Sequence, residues 1–381
     1  MRNLVYISDN KIFFRKDGKP YELPSQRVEK YKSAIESIKK RHEWKNTGKG
    51  AQFMGMYYRG YDLEADAYIS GLSKYKDGFL YSINLDGVGG IYKKTTQKDD
   101  LEGHVTAKDK LQIRDIDVKD GQCAASVGDG DNRNLALFDL SSGNYEELTE
   151  GDSFEDFPSF SMKYNRILFS SAGLARYPNG DTVTGPYSAM VFNLDKGEME
   201  ELISDVKFDF IRVREDADGN IYCIKRPHGG EKNENVLLDI LLFPWRMIKA
   251  IFGVFNYFSV LFGGESLRSG KDPQAFANMK MKQKSERELF IDGNVINAEQ
   301  TYKLNMQKGE KFPGLIPHSW ELIKIDGYTG ERFCVKKGVL DFTICENGDI
   351  LYSNGYAIIR LSEKREELVE KCRLANNIVE L

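Results

Sequence analysis

Residues 111–148 read LQIRDIDVKDGQCAASVGDGDNRNLALFDLSSGNYEEL. An alternating run, Leu111–Lys119, meets the turn pair Asp120-Gly121. A second apolar run, Gln122–Val127, leads into a polar loop around Asp129-Gly130-Asp131-Asn132. A third run, Leu135–Asp139, turns at Ser141-Ser142-Gly143 into a short polar fourth. Each run is too short for a helix and is bounded by Asp, Asn, Ser and Gly, whose backbone preferences close tight turns. The unit is four antiparallel strands in sequence.

The same rhythm recurs along the chain. An earlier copy spans about 66–104, with YKDGFLYSINLDGVGGIYKK at its centre. The next copy is Ser153–Leu202. A later one starts at Val206–Lys225, is interrupted, and resumes at Trp320–Val335. The last is Val339–Leu368. Turn pairs punctuate the copies: Asp17-Gly18, Asp77-Gly78, Asp86-Gly87, Asp120-Gly121, Asp218-Gly219, Asp326-Gly327 and Asn347-Gly348. Such pairs flanked by alternating apolar residues are hairpin signals. Repeats of roughly 40 residues with four short strands each define a β-propeller. The fold class is therefore all-β. Five copies lie between about 66 and 370, and the N-terminal strands within 3–23, with Gln52–Arg59, supply a sixth blade that closes the ring. Between them the spacing of Val28, Tyr31, Ile35 and Ile38 predicts a helix over 25–44 that starts at Ser25 and packs on the ring.

One copy carries more than rhythm. In LTEGDSFEDFPSFSMKYNRILFSS (148–171), Asp156, Pro158, Phe160 and Ser161 resemble the repeat of TolB-like, WD40-like propellers, with Lys163-Tyr164-Asn165 standing where a Pro-Asp-Gly turn is usual. The resemblance implies the propeller architecture and leaves function open, because one fold hosts many activities.

The interruption divides the chain into a propeller, 1–226 and 319–381, and a largely helical insertion, 227–318. The insertion opens on VLLDILLFPWRMIKAIFGVFNYFSVLFG (236–263), a run out of character with the polar, turn-rich remainder. As one helix it would be about 40 Å long, enough to span a bilayer. Three features oppose a span. Asp239, Arg246 and Lys249 would each cost about 2.5–3.5 kcal/mol at the bilayer centre. Pro244 interrupts the helical hydrogen bonds. Both ends of the insertion also join one blade, so a single crossing would need a return that 265–318 does not offer. The polar residues instead form a narrow stripe, opposed by an arc that includes Leu237, Leu241, Trp245, Ile248, Ile251, Phe252, Phe255, Phe258 and Phe262. This pattern suits an amphipathic helix lying in a membrane surface. Arg246, Lys249 and the following Lys280, Lys282 and Lys284 are candidates for lipid headgroups. A membrane-associated protein, self-association through the insertion, or burial on the propeller itself would cover the same face. Beyond it the sequence predicts a polar helix at Pro273–Phe290, a turn at Asp292-Gly293-Asn294 and a helix at Ala298–Lys308.

Candidates for chemistry are sparse. His228 and His318 bracket the insertion on neighbouring strands, where a histidine pair can hold a metal or move protons; no carboxylate stands beside either at ligand spacing, and stem residues are the plainer reading. Gly87-Val88-Gly89-Gly90 is followed by a strand, so it lacks the helix N-terminus that a phosphate loop requires. Cys123, Cys223, Cys334, Cys345 and Cys372 form no CxxC pair, which argues against structural zinc and for reduced thiols. No resident metal or cofactor is expected. A net charge of −4 offers no basic field for nucleic acid. The N-terminus lacks the apolar core of a signal peptide. The expectation is a cytoplasmic, non-enzymatic propeller scaffold or binding protein, peripheral on the inner face of the membrane. The alternatives are a hydrolase or lyase with the insertion as lid over a central-channel site, and a homo-oligomer built through the insertion.

Overall fold

The computed structural model describes residues 3–46, 65–97, 100–129, 132–176, 182–229, 288–291, 293–363 and 365–381. Six four-stranded antiparallel blades build the main unit, with one three-residue side strand, Thr182–Thr184, added to the fourth. Blade 2 comprises Ala67–Tyr75, Gly78–Leu85, Val88–Thr95 and Gly103–Asp109. Blade 3 comprises Gln112–Lys119, Gln122–Gly128, Asn134–Asp139 and Tyr145–Glu147. Blade 4 runs from Ser153–Phe160 through Arg166–Arg176 and Ser188–Asn193 to Glu198–Ile203. Blade 5 begins with Phe208–Glu215 and Ile221–Pro227 and finishes with Glu321–Ile325 and Arg332–Lys337. Blade 6 comprises Asp341–Ile344, Ile350–Ser353, Ala357–Ser362 and Arg365–Lys371.

Blade 1 joins the two ends of the chain. Leu4–Ser8, Lys11–Lys16 and Lys19–Glu22 are its outer three strands, and Asn376–Glu380 is its innermost, paired Val5 to Val379. Gln52–Arg59, the expected contributor, lies outside the described residues. The six innermost strands touch in sequence around the ring, from Asn376–Glu380 through Ala67–Tyr75 and onward to Asp341–Ile344, which meets Asn376–Glu380 again. Each innermost strand is the inner edge of its own sheet, and the ring leaves only short edges around the axis.

The core is a series of layers between neighbouring blades. Leu80 and Ile91 of blade 2 pack with Ile113, Ile116, Cys123 and Phe138 of blade 3. Ala124 and Leu135 of blade 3 meet Ile167, Phe169 and Phe192 of blade 4. Leu4 and Tyr6 of blade 1 meet Leu351 and Ile358 of blade 6. Both faces of each sheet are therefore largely apolar, and polar alternation appears mainly in the outermost strands. The glycine-rich stretch at 87–90 finds its physical reason here. A Cβ on Gly89 would stand 2.3 Å from the Leu111 carbonyl oxygen, so the two blades approach as closely as they do only over a glycine.

Turns follow the sequence pairs. Asp17-Gly18, Asp86-Gly87 and Asp120-Gly121 all hold both residues at positive φ, the type I′ geometry that matches strand twist. Two pairs differ. At 77–78 the positive φ falls on Lys76, and Gly78 begins a strand. Asp326 instead accepts the Tyr328 and Thr329 amides at 3.0 and 2.8 Å, and the positive φ moves to Gly330.

Helix α1, Gln26–Asn46, is capped as its sequence predicts. Ser25 Oγ accepts the Val28 amide at 3.2 Å, and Glu102 accepts the free amides of Gln26 and Arg27. Val28 is buried and Tyr31 packs on the core, but Ile38 is exposed. Docking is thus confined to the first turns.

By compactness the propeller holds Met1–His228 and Asn305–Leu381, and a second unit holds Gly229–Leu304. Within the second unit Glu288–Ile291 pairs with Asn294–Asn297, and helix α2, Ala298–Gln307, begins there with Asn297 Oδ1 accepting the Gln300 amide at 3.0 Å. The expected helix over Pro273–Phe290 is corrected at its end. Glu288–Phe290 are strand because Leu289 faces Ile296 across a hairpin and both are buried. The rest of that stretch lies outside the described residues.

Candidate functional site

All six innermost strands deliver their last residues to one cavity at the mouth of the central channel. Its lining runs through Leu72–Lys74, Ile116–Lys119, Pro158–Met162, Arg214–Glu215, Thr343–Glu346 and Ile378–Glu380. Its volume is about 410 Å³.

Bulges in the innermost strands prepare this mouth. The register shifts between Ile69 and Leu72, Ile113 and Ile116, Asp156 and Ser159, and Ile211 and Arg214. A bulge bends its strand and re-aims side chains. Phe157 and Arg212, within two of these shifts, hold φ near +57°, a costly state for large residues. Tertiary contacts hold them there. The Arg212 guanidinium stacks 4.3 Å over the Phe157 ring of blade 4 and pairs at 3.4 Å with Asp341 of blade 6. Asn377, also at positive φ, donates to the Ser70 carbonyl of blade 2 at 2.6 Å.

The charged groups of the mouth tie blades together. Asp117 accepts Ser73 Oγ of blade 2 at 2.9 Å and the Phe160 amide of blade 4 at 2.8 Å. Lys119 donates to the Ser161 carbonyl at 2.7 Å. Arg166 holds Glu215 at 2.9 Å, and Arg360 holds Glu380 at 2.7 Å. Lys74 reaches Glu346 at 3.1 Å. Cys345 also lines the mouth, but burial and the nearby Glu380 charge push its thiol up to about 12, so it stays a thiol at neutral pH.

Deeper in the ring the motif of blade 4 shows its purpose. Asp156 receives Arg133 at 2.5 and 2.6 Å and the Tyr187 hydroxyl at 2.7 Å. Burial alone would raise its pKa; the Arg114 charge and the Arg133 and Tyr187 bonds more than offset that, and the carboxyl sits below the usual range. Glu155 beside it goes the other way. Burial raises it, against hydrogen bonds from Ser153 and Ser171, and its Oε2 has no partner. Ser161 Oγ accepts the Lys163 and Tyr164 amides at 3.1 and 2.8 Å, which turns the chain without a Pro-Asp-Gly sequence.

The bracketing histidines each have a carboxylate that sequence spacing did not reveal. His228 Nδ1 lies 2.8 Å from Asp209, which also takes Arg226 at 3.1 Å. His318 Nε2 lies 2.5 Å from Glu310. The strands that they flank pair as far as Lys225 with Glu321. No cluster of three metal-ligating side chains occurs among the described residues. Leu237, Leu241, Trp245, Arg246, Ile248, Lys249, Ile251, Phe252, Phe255, Phe258, Phe262, Lys280, Lys282 and Lys284 lie outside the described residues. Among those described, no helix is long and apolar enough to cross a membrane. The mouth residues escape a motif search because no two of them share a sequence signature. Their signal is positional: five of the six groups close the first strand of a repeat, and Ile378–Glu380 closes the C-terminal strand that completes blade 1.

The fold defines a six-bladed β-propeller of four-stranded blades, the TolB-like architecture that residues 148–171 imply. No family model and no curated protein matches the chain. Solved structures with similarity include TolB from Acinetobacter baumannii, 11% identical with a TM-score of 0.49 over 99% of this chain and 66% of that one. Puromycin hydrolase is 8% identical with a TM-score of 0.36 over 77% of this chain. The chain thus spans less than two thirds of the former and 33% of the latter.

Proposed function

We propose that this protein is a non-enzymatic propeller scaffold or binding protein that docks to a membrane surface through residues 236–263. The observation that carries this reading is the way the insertion joins the ring. It leaves after Ile221–Pro227 and returns at Glu321–Ile325, adjacent strands paired through Lys225 and Glu321. Both ends therefore stand side by side on one blade. A segment so tethered can lie along a bilayer, whereas a single crossing would separate its ends. The apolar arc from Leu237 to Phe262 supplies the adhesion: burying eight large side chains contributes roughly 12–24 kcal/mol before ordering costs. Arg246, Lys249, Lys280, Lys282 and Lys284 add about 1 kcal/mol each near anionic lipid. The ring suits a platform, since the mouth charges named above are largely spent on ties between blades.

Flotation with vesicles of mixed neutral and anionic lipid tests the reading. Wild type floats, and a variant lacking 236–263 stays at the bottom with unchanged thermal unfolding. High salt weakens the wild-type interaction without abolishing it. Equal flotation of both proteins rejects membrane docking. Loss of a dimer on light scattering of the variant, without any lipid binding by wild type, assigns the segment to self-association instead.

A further inference from the structure

Arg214 closes the innermost strand of blade 5 and lines the channel mouth. Among the described residues no hydrogen bond or ion pair engages its guanidinium, and its Nε is buried without a partner. Its nearest aromatic contact is the Phe342 ring, 5.9 Å from the guanidinium carbon, at the outer limit of a useful cation–π distance. A half-buried guanidinium with free donors is costly unless an acceptor completes it. The described residues of the mouth supply none. Glu215 belongs to Arg166, Glu380 to Arg360 and Glu346 to Lys74, while Asp117 is held by Ser73 and the Phe160 amide. The mouth cations Lys119 and Lys74 are engaged, so Arg214 differs from them.

We propose that the channel mouth binds a small organic acid, with the carboxylate on Arg214 and the apolar body against Ile116, Phe160, Ile344 and Ile378. Three observations select this ligand class. A cavity of about 410 Å³ falls in the range of small-molecule sites. A guanidinium presents paired donors that match a carboxylate edge to edge. Asp117, Glu215, Glu346 and Glu380 share the lining, and their charge disfavours a dianion such as hydrogen phosphate more than a monoanion. This site is independent of the apolar insertion and stands or falls separately from membrane docking.

Saturation-transfer NMR and titration on the full chain test it, with hexanoate, benzoate, benzyl alcohol and inorganic phosphate as probes. The two acids bind wild type and the alcohol and phosphate do not. Arg214→Gln weakens the acids at least tenfold, about 1.4 kcal/mol. Met162→Glu, a change at an exposed lining residue, weakens them too and serves as the deciding variant if Arg214→Gln fails to fold. The proposal is overturned if neither acid binds wild type at about 10 mM, beyond the weakest useful dissociation constant. It is also overturned if both variants bind the acids as wild type does, or if phosphate binds as tightly as they do.

Discussion

Glu155 and Asp156 are neighbours in sequence and opposites in environment. Asp156 meets Arg133 and Tyr187; Glu155 meets two serine hydroxyls and leaves one buried oxygen bare. The difference sets two stability slopes of opposite sign. The lowered Asp156 carboxyl stabilises the fold above its unfolded-state value and loses that contribution as pH falls through its folded value. The raised Glu155 carboxyl is the reverse: the unfolded chain releases this proton first as pH rises, so ionisation favours unfolding at neutral pH. Glu155→Gln keeps the acceptor for Ser153 and Ser171 and removes the charge. Thermal unfolding should therefore show the variant more stable than wild type at pH 7, with the gain vanishing below about pH 4, where free glutamate is protonated. A gain that persists unchanged into acid would assign the effect to packing. Sequence placed Asp156 in a repeat motif, yet nothing in EDFPSF distinguishes the two carboxylates. Their partners come from residues up to 31 positions away.

At the scale of strands, hairpins were the most legible feature. Alternation and Asp-Gly pairs are local, and local backbone preference decides them. Asp326 shows the limit: its carboxylate caps two amides and shifts the positive φ to Gly330, an outcome that a dipeptide pair does not encode. The bulges were not legible, because they answer to the neighbouring blade. Asp117 is the clearest tie of this kind, joining the ends of three innermost strands. Asp117→Ala leaves the Phe160 amide and Ser73 hydroxyl without their acceptor, and chemical denaturation should show a loss of about 2–3 kcal/mol. Asp117→Asn, which keeps one acceptor oxygen, should recover part of it. If the alanine variant is as stable as wild type, the tie is incidental. Helix α1 teaches a related point. Its apolar stripe predicts contact along about three turns, but only the first turns meet the ring, so the exposed Ile38 marks where periodicity outruns packing.

For the whole molecule, closure is the decisive event. Asn376–Glu380 is a short strand with little periodic signal, and it completes blade 1 beside Leu4–Ser8. Ala375 and Ile378 are fully buried there, and the strand contacts both ring neighbours. Removing residues 373–381 should open the ring, lower the denaturation midpoint and broaden the transition, with hydrogen exchange rising first in Leu4–Ser8. An unchanged, cooperative transition would show that closure contributes little. The count of blades was readable because each blade repeats one local program of strand lengths and turns, but the strand that closes blade 1 was not. Residues 236–263 declare an apolar, striped face from sequence alone. What only the tertiary structure decided is which charges meet. The six strand ends that form the mouth, the carboxylates facing His228 and His318, and the partnerless Arg214 are separated by tens to hundreds of residues. Electrostatic pairing and cavity shape depend on distance in space, and only ring closure sets those distances.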